Sequence, residues 1–332
     1  MGKAELDVVG IGNAIVDVIG QVDDAFLAEH DLPKGAMILI DEPRANALYS
    51  LMGPAVEISG GSAGNTIAGL ASLGARAAYI GKVKKDQLGQ IFAHDIRAVG
   101  VRFETEMATE GPATARSLIL VTPDAHRTMN TFLGACVDLG PEDVDPALIA
   151  NAAVTYLEGY LFDPPRAKAA FRKAVEIAHG AGRRVSLSLS DSFCVERYRD
   201  EFRDFVANGV DILFANEAEI TALYETTSFD EALQTVRDKC EIACLTRSEH
   251  GSVIVAGDEV HVVDPEPLDT ALVDTTGAGD LYAAGFLHGF TAGRDLPTAG
   301  RIASIAAAEV IGHYGARPRV PLVDLVADRL GD

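Results

Sequence analysis

Residues 154–189 read VTYLEGYLFDPPRAKAAFRKAVEIAHGAGRRVSLSL, and the order of periods in this stretch decides the fold class. Val154 to Leu157 is a short apolar run suited to a buried strand. Arg166 to His179 carries apolar residues at helical spacing, and Val185 to Leu189 is a strand again. Two strands joined through a helix run parallel, because the crossover returns the chain to the same end of the sheet. The rhythm extends downstream through a helix at Val195 to Ala207 and a strand at Ile212 to Phe214. Upstream it includes a helix from Ser62 to Leu73, closed by Gly74, a strand from Ala77 to Ile80 and a helix from Gln87 to Ala98. This succession predicts a three-layer α/β/α fold with a mostly parallel central sheet.

Two regions break the rhythm. Residues about 14–58 and about 103–132 are rich in turns yet contain apolar runs such as Ser117-Leu118-Ile119-Leu120-Val121. Pro123-Asp124-Ala125-His126 links that run to Arg127-Thr128-Met129-Asn130 in a hairpin pattern. Apolar runs need burial, so the two regions are expected to form a small β-sheet lid on the main sheet. From Ile242 to Val263 three β-like runs read as a meander, and two apolar helices follow at about 280–291 and 297–311. With no internal repeat and no linker, residues 1–332 read as a single domain.

Composition narrows the function. Of 332 residues, 48% are hydrophobic and 23% charged, which suffices for a large core. The net charge of −21 repels phosphate backbones and anionic membranes, so neither nucleic acid nor membrane is an expected partner. Any anionic ligand must then be held by local groups. Cys136, Cys194, Cys240 and Cys244 form no C-x-x-C pair, and eight histidines give no metal-binding spacing, so the thiols read as buried and reduced. The start of the chain lacks the order of a signal peptide, and no apolar run reaches the ~18 residues of a membrane span. A cytoplasmic protein is expected.

The chemistry concentrates in four segments. Asp274-Thr275-Thr276-Gly277-Ala278-Gly279-Asp280 stands immediately before a helix. Gly277, Ala278 and Gly279 let successive N–H groups converge, and the helix adds its positive end, which makes an anion site. Asp280, in the first turn, is placed to accept a proton from a substrate hydroxyl; the alternative is a first-turn Asp that only favours the helix. Gly60-Gly61-Ser62-Ala63-Gly64-Asn65 also precedes a helix, where Asn65 can meet a sugar hydroxyl, and it lacks the Gly-Lys-Ser/Thr of a Walker loop. Val8-Val9-Gly10-Ile11-Gly12-Asn13 imitates a dinucleotide fingerprint without its third glycine; as a strand it delivers Asn13 and Asp17 to a pocket. Asp17 reads either as the acceptor for two neighbouring hydroxyls or as a turn residue. Asn216-Glu217-Ala218-Glu219 fits a capping box, and the capped pair Asn216 and Glu219 could orient a hydrated Mg²⁺.

Together these segments resemble the ribokinase-like (PfkB) family of carbohydrate and nucleoside kinases, over nearly the whole chain. The resemblance implies a single catalytic domain, ATP as donor, Mg²⁺, and a β lid over a small-molecule acceptor, nucleoside or sugar. It makes Asp280 the base and Gly277, Ala278 and Gly279 the anion hole. Gly60, Gly61, Ser62, Asn65, Asn13 and Asp17 become acceptor-binding residues. Thr246, in Leu245-Thr246-Arg247, resembles a nucleotide-contacting strand end, with Gly251 and Thr276 beside the nucleotide. Many members hold a monovalent cation near this loop, and Asp274 and Thr276 match the start of that K⁺ site. Gly10 to Asp17 and Leu213 to Glu217 are similar to segments of the adenosine kinases within the family, as is Asp124-Ala125-His126-Arg127, whose Arg approaches phosphate. Phosphorylation of the 5′-hydroxyl of adenosine is therefore the favoured expectation. Ala63 and Gly64 depart from the bulkier polar pattern of those kinases, which keeps a kinase of ribose, fructose or 2-keto-3-deoxygluconate as the alternative. A nucleoside- or sugar-binding sensor without turnover is the rival from another class, and a homodimer through the lid stays open.

Overall fold

In the computed structural model, which describes residues 4–331 apart from residue 125, nine strands form the main sheet. Their order is Glu259–Val263, Ser252–Ala256, Ile242–Thr246, Ile212–Asn216, Arg184–Ser188, Ala152–Glu158, Leu6–Ile11, Ala77–Ile80 and Arg102–Phe103. From Ile242–Thr246 to Arg102–Phe103 every pairing is parallel, and the first two strands are antiparallel. The central strands are buried on both faces, so residues 8–11 and Ala77–Ile80 are continuous apolar runs rather than alternating with polar residues.

Alternate residues feed two separate cores. Val8, Tyr79, Val154, Tyr156 and Phe214 point toward the helices Ser62–Ser72, Ala278–Thr291 and Leu296–Val310. Val9, Ile11, Leu157, Leu187 and Leu213 point the other way, toward Pro165–Gly180, Arg199–Gly209 and Glu217–Tyr224. The helix expected over Val195 to Ala207 is two, Ser192–Arg197 and Arg199–Gly209, broken at Tyr198 with φ −122°. Asp191 caps the first piece through the Phe193 and Cys194 N–H groups, and Asp200 and Glu201 supply an acidic first turn for the second.

A second sheet of five strands runs Met37–Leu39, Arg127–Phe132, Ala115–Val121, Ile15–Gln21 and Ala55–Gly60. Its later stretch begins at Ala115, not near 103. Arg102–Phe103 instead pairs with Ala77–Ile80 in the main sheet, where Phe103 is buried. The earlier stretch also contains two helices, Asp24–Glu29 and Glu42–Leu51. Their caps are Asp23, accepting from Phe26 N at 2.8 Å, and Asp41, accepting from Arg44 N at 2.9 Å. Those helices bury Leu27 and Leu48 in one core with Val16, Val18, Leu118 and Leu120. Strand alternation then sends Asp17, Ile19, Ser117 and Ile119 to the opposite face. Among the described residues no helix is long and apolar enough to cross a membrane.

Candidate active site

The site grows from a reversal in strand order. The chain winds outward in one direction from Leu6–Ile11 through Ala77–Ile80, and in the other from Ala152–Glu158 onward. At such a switch point the loops part and leave a crevice beyond the carboxyl ends of the strands. Asn13 follows the first of these central strands and Glu158 ends the second, and the two are joined. Asn13 Nδ2 donates to Glu158 Oε1 at 2.7 Å, while the N–H groups of Asn13 (3.3 Å) and Ala63 (2.8 Å) donate to Oε2. Glu158 is thus the peg on which the first strand and the glycine loop hang. Burial pushes its carboxyl up to about 7, against the pull of those three donors.

The glycine loop and the anion loop, 215 residues apart in sequence, meet at one carboxylate. Ser62 Oγ donates to Asp280 Oδ1 at 2.6 Å, and Asn65 Nδ2 donates to Oδ2 at 3.0 Å. Burial raises Asp280 to about 6; Ser62, Asn65 and the Arg317 guanidinium oppose the rise. Asn65 Oδ1 is buried without a partner among the described residues. Gly60 pairs across the lid with Ile15, and a Cβ there would collide with the Asp17 carboxylate, so this loop must start with glycine. Asp17 is also raised by burial to about 6, opposed by Arg317 and Arg127, and it takes no hydrogen bond from the described residues.

Gly277 adopts φ +81° as the residue before the helix Ala278–Thr291, and a Cβ there would come within 2.6 Å of Ala316 Cβ. Both the conformation and the close approach require glycine. Ala278 N bonds Thr275 O and Leu281 N bonds Gly277 O, whereas the N–H groups of Gly279 and Asp280 have no acceptor among the described residues. Two donors at a helix start, without acceptors among the described residues, stand beside the Asp280 carboxylate, an arrangement that can receive an anion next to a proton acceptor.

Several of the expected site residues also have local partners of their own. Arg127, expected near phosphate, forms an ion pair from the lid strand Arg127–Phe132 to Asp274 at the start of the 274–280 loop, both side chains largely buried. Asp274 also accepts from Thr276 N (3.0 Å), Thr276 Oγ1 (2.7 Å) and Gly315 N (3.2 Å). With its carboxylate so occupied, the pair does not fit the side-chain ligand of a K⁺ site, and Thr276 serves here to hold Asp274. Gly251, expected beside the nucleotide, has φ +76° and would clash with Val263 O if it carried a Cβ, so its turn requires glycine. The lid turn containing residue 125 lies partly outside the described residues.

Asn216 and Glu219 form the complete capping box. Asn216 accepts from Glu219 N at 2.8 Å, and Glu219 accepts from Asn216 N (2.9 Å) and Nδ2 (2.7 Å). Thr246 lies alongside Asn216 in the sheet register. Burial, then the charges of Asp191 and Asp280, push Glu219 up to about 7. An acidic group among like charges fits a cation, and its occupied oxygens fit Mg²⁺ held through water rather than directly. Among the described residues no cluster of three metal-ligating side chains occurs.

Four carboxylates with raised values, Glu158 and Glu219 buried and Asp17 and Asp280 partly so, make the stability of the ligand-free protein depend on pH. Asp17 and Asp280 (about 6) and Glu158 and Glu219 (about 7) keep protons in the native state that the unfolded chain releases above its ordinary values near 4. Stability therefore falls as pH rises through that window, by about 3 kcal/mol between pH 6 and 8. His288, lowered by burial, works in the opposite direction below its ordinary 6.5, but as a single group. Thermal melts of ligand-free protein should show Tm several degrees lower at pH 8 than at pH 6; a rising Tm would refute these protonation assignments.

Glu158 and Arg317 escaped the sequence reading. Glu158 carried a usable signal, since it is the first charged residue after the buried run Val154 to Leu157, at the ligand-facing end of a parallel strand. Arg317, in Gly315-Ala316-Arg317-Pro318, carried none, because nothing in a loop after the last core helix shows that it folds back beneath residues 59–64.

Known proteins resemble this chain over most of its length. Residues 50–322 match the pfkB family carbohydrate kinase. The adenosine kinase of Sinorhizobium meliloti is 57% identical, with TM-score 0.90 over 99% of this chain and all of that one. A probable sugar kinase of Rhizobium etli is 53% identical, with TM-score 0.91 over 99% of both chains. The ATP-dependent ribose-1-phosphate kinase of Halopiger xanaduensis is 32% identical over 82% of this chain and 86% of that protein.

Proposed function

Because the chain belongs to the PfkB family of carbohydrate kinases, a family of phosphotransferases, we propose that it transfers the γ-phosphate of ATP to the 5′-hydroxyl of a ribonucleoside, adenosine first. The observation that carries the acceptor class is a row across the lid. Ile58, Asp17, Ser117, Thr131 and Leu39 stand side by side on successive strands, and Val56, Ile19, Ile119, Met129 and Met37 form the next row on the same face. One carboxylate without a donor among the described residues, suited to a vicinal diol, adjoins an apolar wall suited to a flat base. Met37, Leu39 and Val56 are more than half exposed, at 51%, 59% and 61%. A free sugar would use the carboxylate and leave that wall wet. The departure at Ala63 does not touch the wall, because its Cβ crowds against Gly12.

In this reading Asp280 takes the proton of the acceptor hydroxyl as its oxygen forms a bond to the γ-phosphorus. The bond from that phosphorus to the bridging oxygen breaks, and ADP leaves. A base near 6 is ionised at neutral pH yet basic enough to share the proton. The free N–H groups of Gly279 and Asp280 receive the charge that develops on the phosphoryl oxygens. Asn216 and Glu219 would hold Mg²⁺ through water, and the ion, when bound, neutralises triphosphate charge. Family membership likewise weighs against a sensor without turnover.

The deciding assay is ADP release from MgATP with adenosine, other ribonucleosides, ribose-1-phosphate, ribose, fructose and 2-keto-3-deoxygluconate. Adenosine should exceed every free sugar in kcat/KM by about tenfold or more, the scale of one buried apolar contact. Preference for a sugar or a sugar phosphate would overturn the nucleoside reading.

A further inference from the structure

Arg317 holds the acceptor loop by its guanidinium. Its Nε and Nη2 donate to Ser59 O at 3.1 and 2.6 Å, and Nη2 also donates to Ser59 Oγ at 2.9 Å. On its other side Nη2 lies 3.9 Å from the point where a Cβ on Gly64 would stand. The guanidinium is therefore wedged between the strand end at Ser59 and the first turn of the helix Ser62–Ser72, under the loop that presents Asn65 and Ser62 to Asp280. Ser59 is itself fixed from below, its N and Oγ donating to Asp95 Oδ2 at 2.8 and 2.5 Å. Nη1 is buried and has no hydrogen-bond partner among the described residues.

We propose that Arg317 is a positioning residue for phosphoryl transfer: wedged beneath residues 59–64, it is the fixed counter-charge that lets Asp17 and Asp280 face one acceptor as two carboxylates. This rests on Asp280 as base and Asp17 as hydroxyl acceptor. Two carboxylates turned toward one small substrate repel each other, and a buried pair of this kind ordinarily shares a proton. A proton on either would disable the site, since Asp280 must accept one and Asp17 must accept hydrogen bonds. The surroundings supply few other cations. Asp280 faces Asp17, Glu158, Glu219, Tyr156 and Tyr160 from the neighbouring elements, none of which is a cation. Asp17 also faces Arg127, but that residue is tied to Asp274. The Arg317 guanidinium opposes the burial-driven rise of both carboxylates.

A pH profile separates this role from a merely structural brace. For the acid limb of kcat/KM with adenosine and MgATP, Arg317→Gln should move the midpoint up by about one pH unit or more, the scale of losing one nearby opposite charge. Arg317→Lys keeps the charge while losing the fork on Ser59, so its limb should stay within about 0.3 unit of wild type even if KM rises. An unshifted limb in Arg317→Gln, or a limb in Arg317→Lys displaced by a full unit, would overturn the proposal; the lysine variant carries the test if the glutamine variant does not fold. Failure of the underlying function looks different, because wild-type protein would then release no ADP with adenosine at any pH.

Discussion

Asp280→Asn should lower kcat by about a hundredfold or more while adenosine binding stays within a few-fold of wild type. The substitution is close to silent for structure. The introduced amide oxygen can still accept from Asn65 Nδ2, and the amide NH₂ can donate to Ser62 Oγ, because a hydroxyl both donates and accepts. What disappears is the second acceptor and the negative charge that would draw the proton from the attacking hydroxyl. ADP release under saturating substrates measures the first quantity and calorimetric titration with adenosine the second. Near-wild-type turnover would reduce Asp280 to a helix-start residue.

The same variant should melt higher than wild type. The folded value of Asp280, about 6, stands above its ordinary 3.8, so the native state loses relative stability as pH rises through that interval. At neutral pH the ionised carboxylate burdens the fold by up to about 3 kcal/mol, and an amide removes that burden. A less active, more stable protein is the expected signature of a group kept for chemistry rather than for folding.

How far the chain could be read without its structure depended on where each signal lay. The strand-and-helix rhythm of 154–189 was legible because short runs dense in apolar residues flank a helix-period segment, and helix Gln87–Ala98 even appears with the expected bounds. The helices Asp24–Glu29 and Glu42–Leu51 were missed, although Asp41-Glu42-Pro43 is a helix start in plain view. Turn-rich flanks drew attention to strands instead. In the site, residues announced by local backbone demands were findable: Gly277 by its left-handed turn, Gly60 and Gly61 by their glycine pair, Asn216 and Glu219 by cap spacing. Partnerships were not. That Arg127 closes onto Asp274 depends on a separation of 147 positions, and no local pattern records it. Glu158 and Arg317 act by holding other segments, so only tertiary structure reveals what they hold.

Asp17→Asn should reduce kcat/KM for adenosine by about a hundredfold, and the loss should depend on the substrate. The wild-type carboxylate takes no hydrogen bond from the described residues, so two hydroxyls of a ribose can each give it one. Bonds to a charged acceptor are worth about 1.5–3 kcal/mol each, which sets the scale of the loss. An amide of the same shape keeps one acceptor and turns an NH₂ toward the second hydroxyl. With 2′-deoxyadenosine, wild type should lose about tenfold or more, because a buried carboxylate oxygen is left unpaired. In Asp17→Asn that penalty should nearly vanish, since the bond it measures is already gone. Comparing two proteins with two substrates isolates the contact from any general damage to the fold, which would lower both substrates alike. An equal 2′-deoxy penalty in both proteins would place the diol elsewhere and remove Asp17 from the acceptor site. A penalty present only in wild type would tie the lid strand Ile15–Gln21 to the sugar itself, and so tie lid position to the hydroxyl that Asp280 must deprotonate.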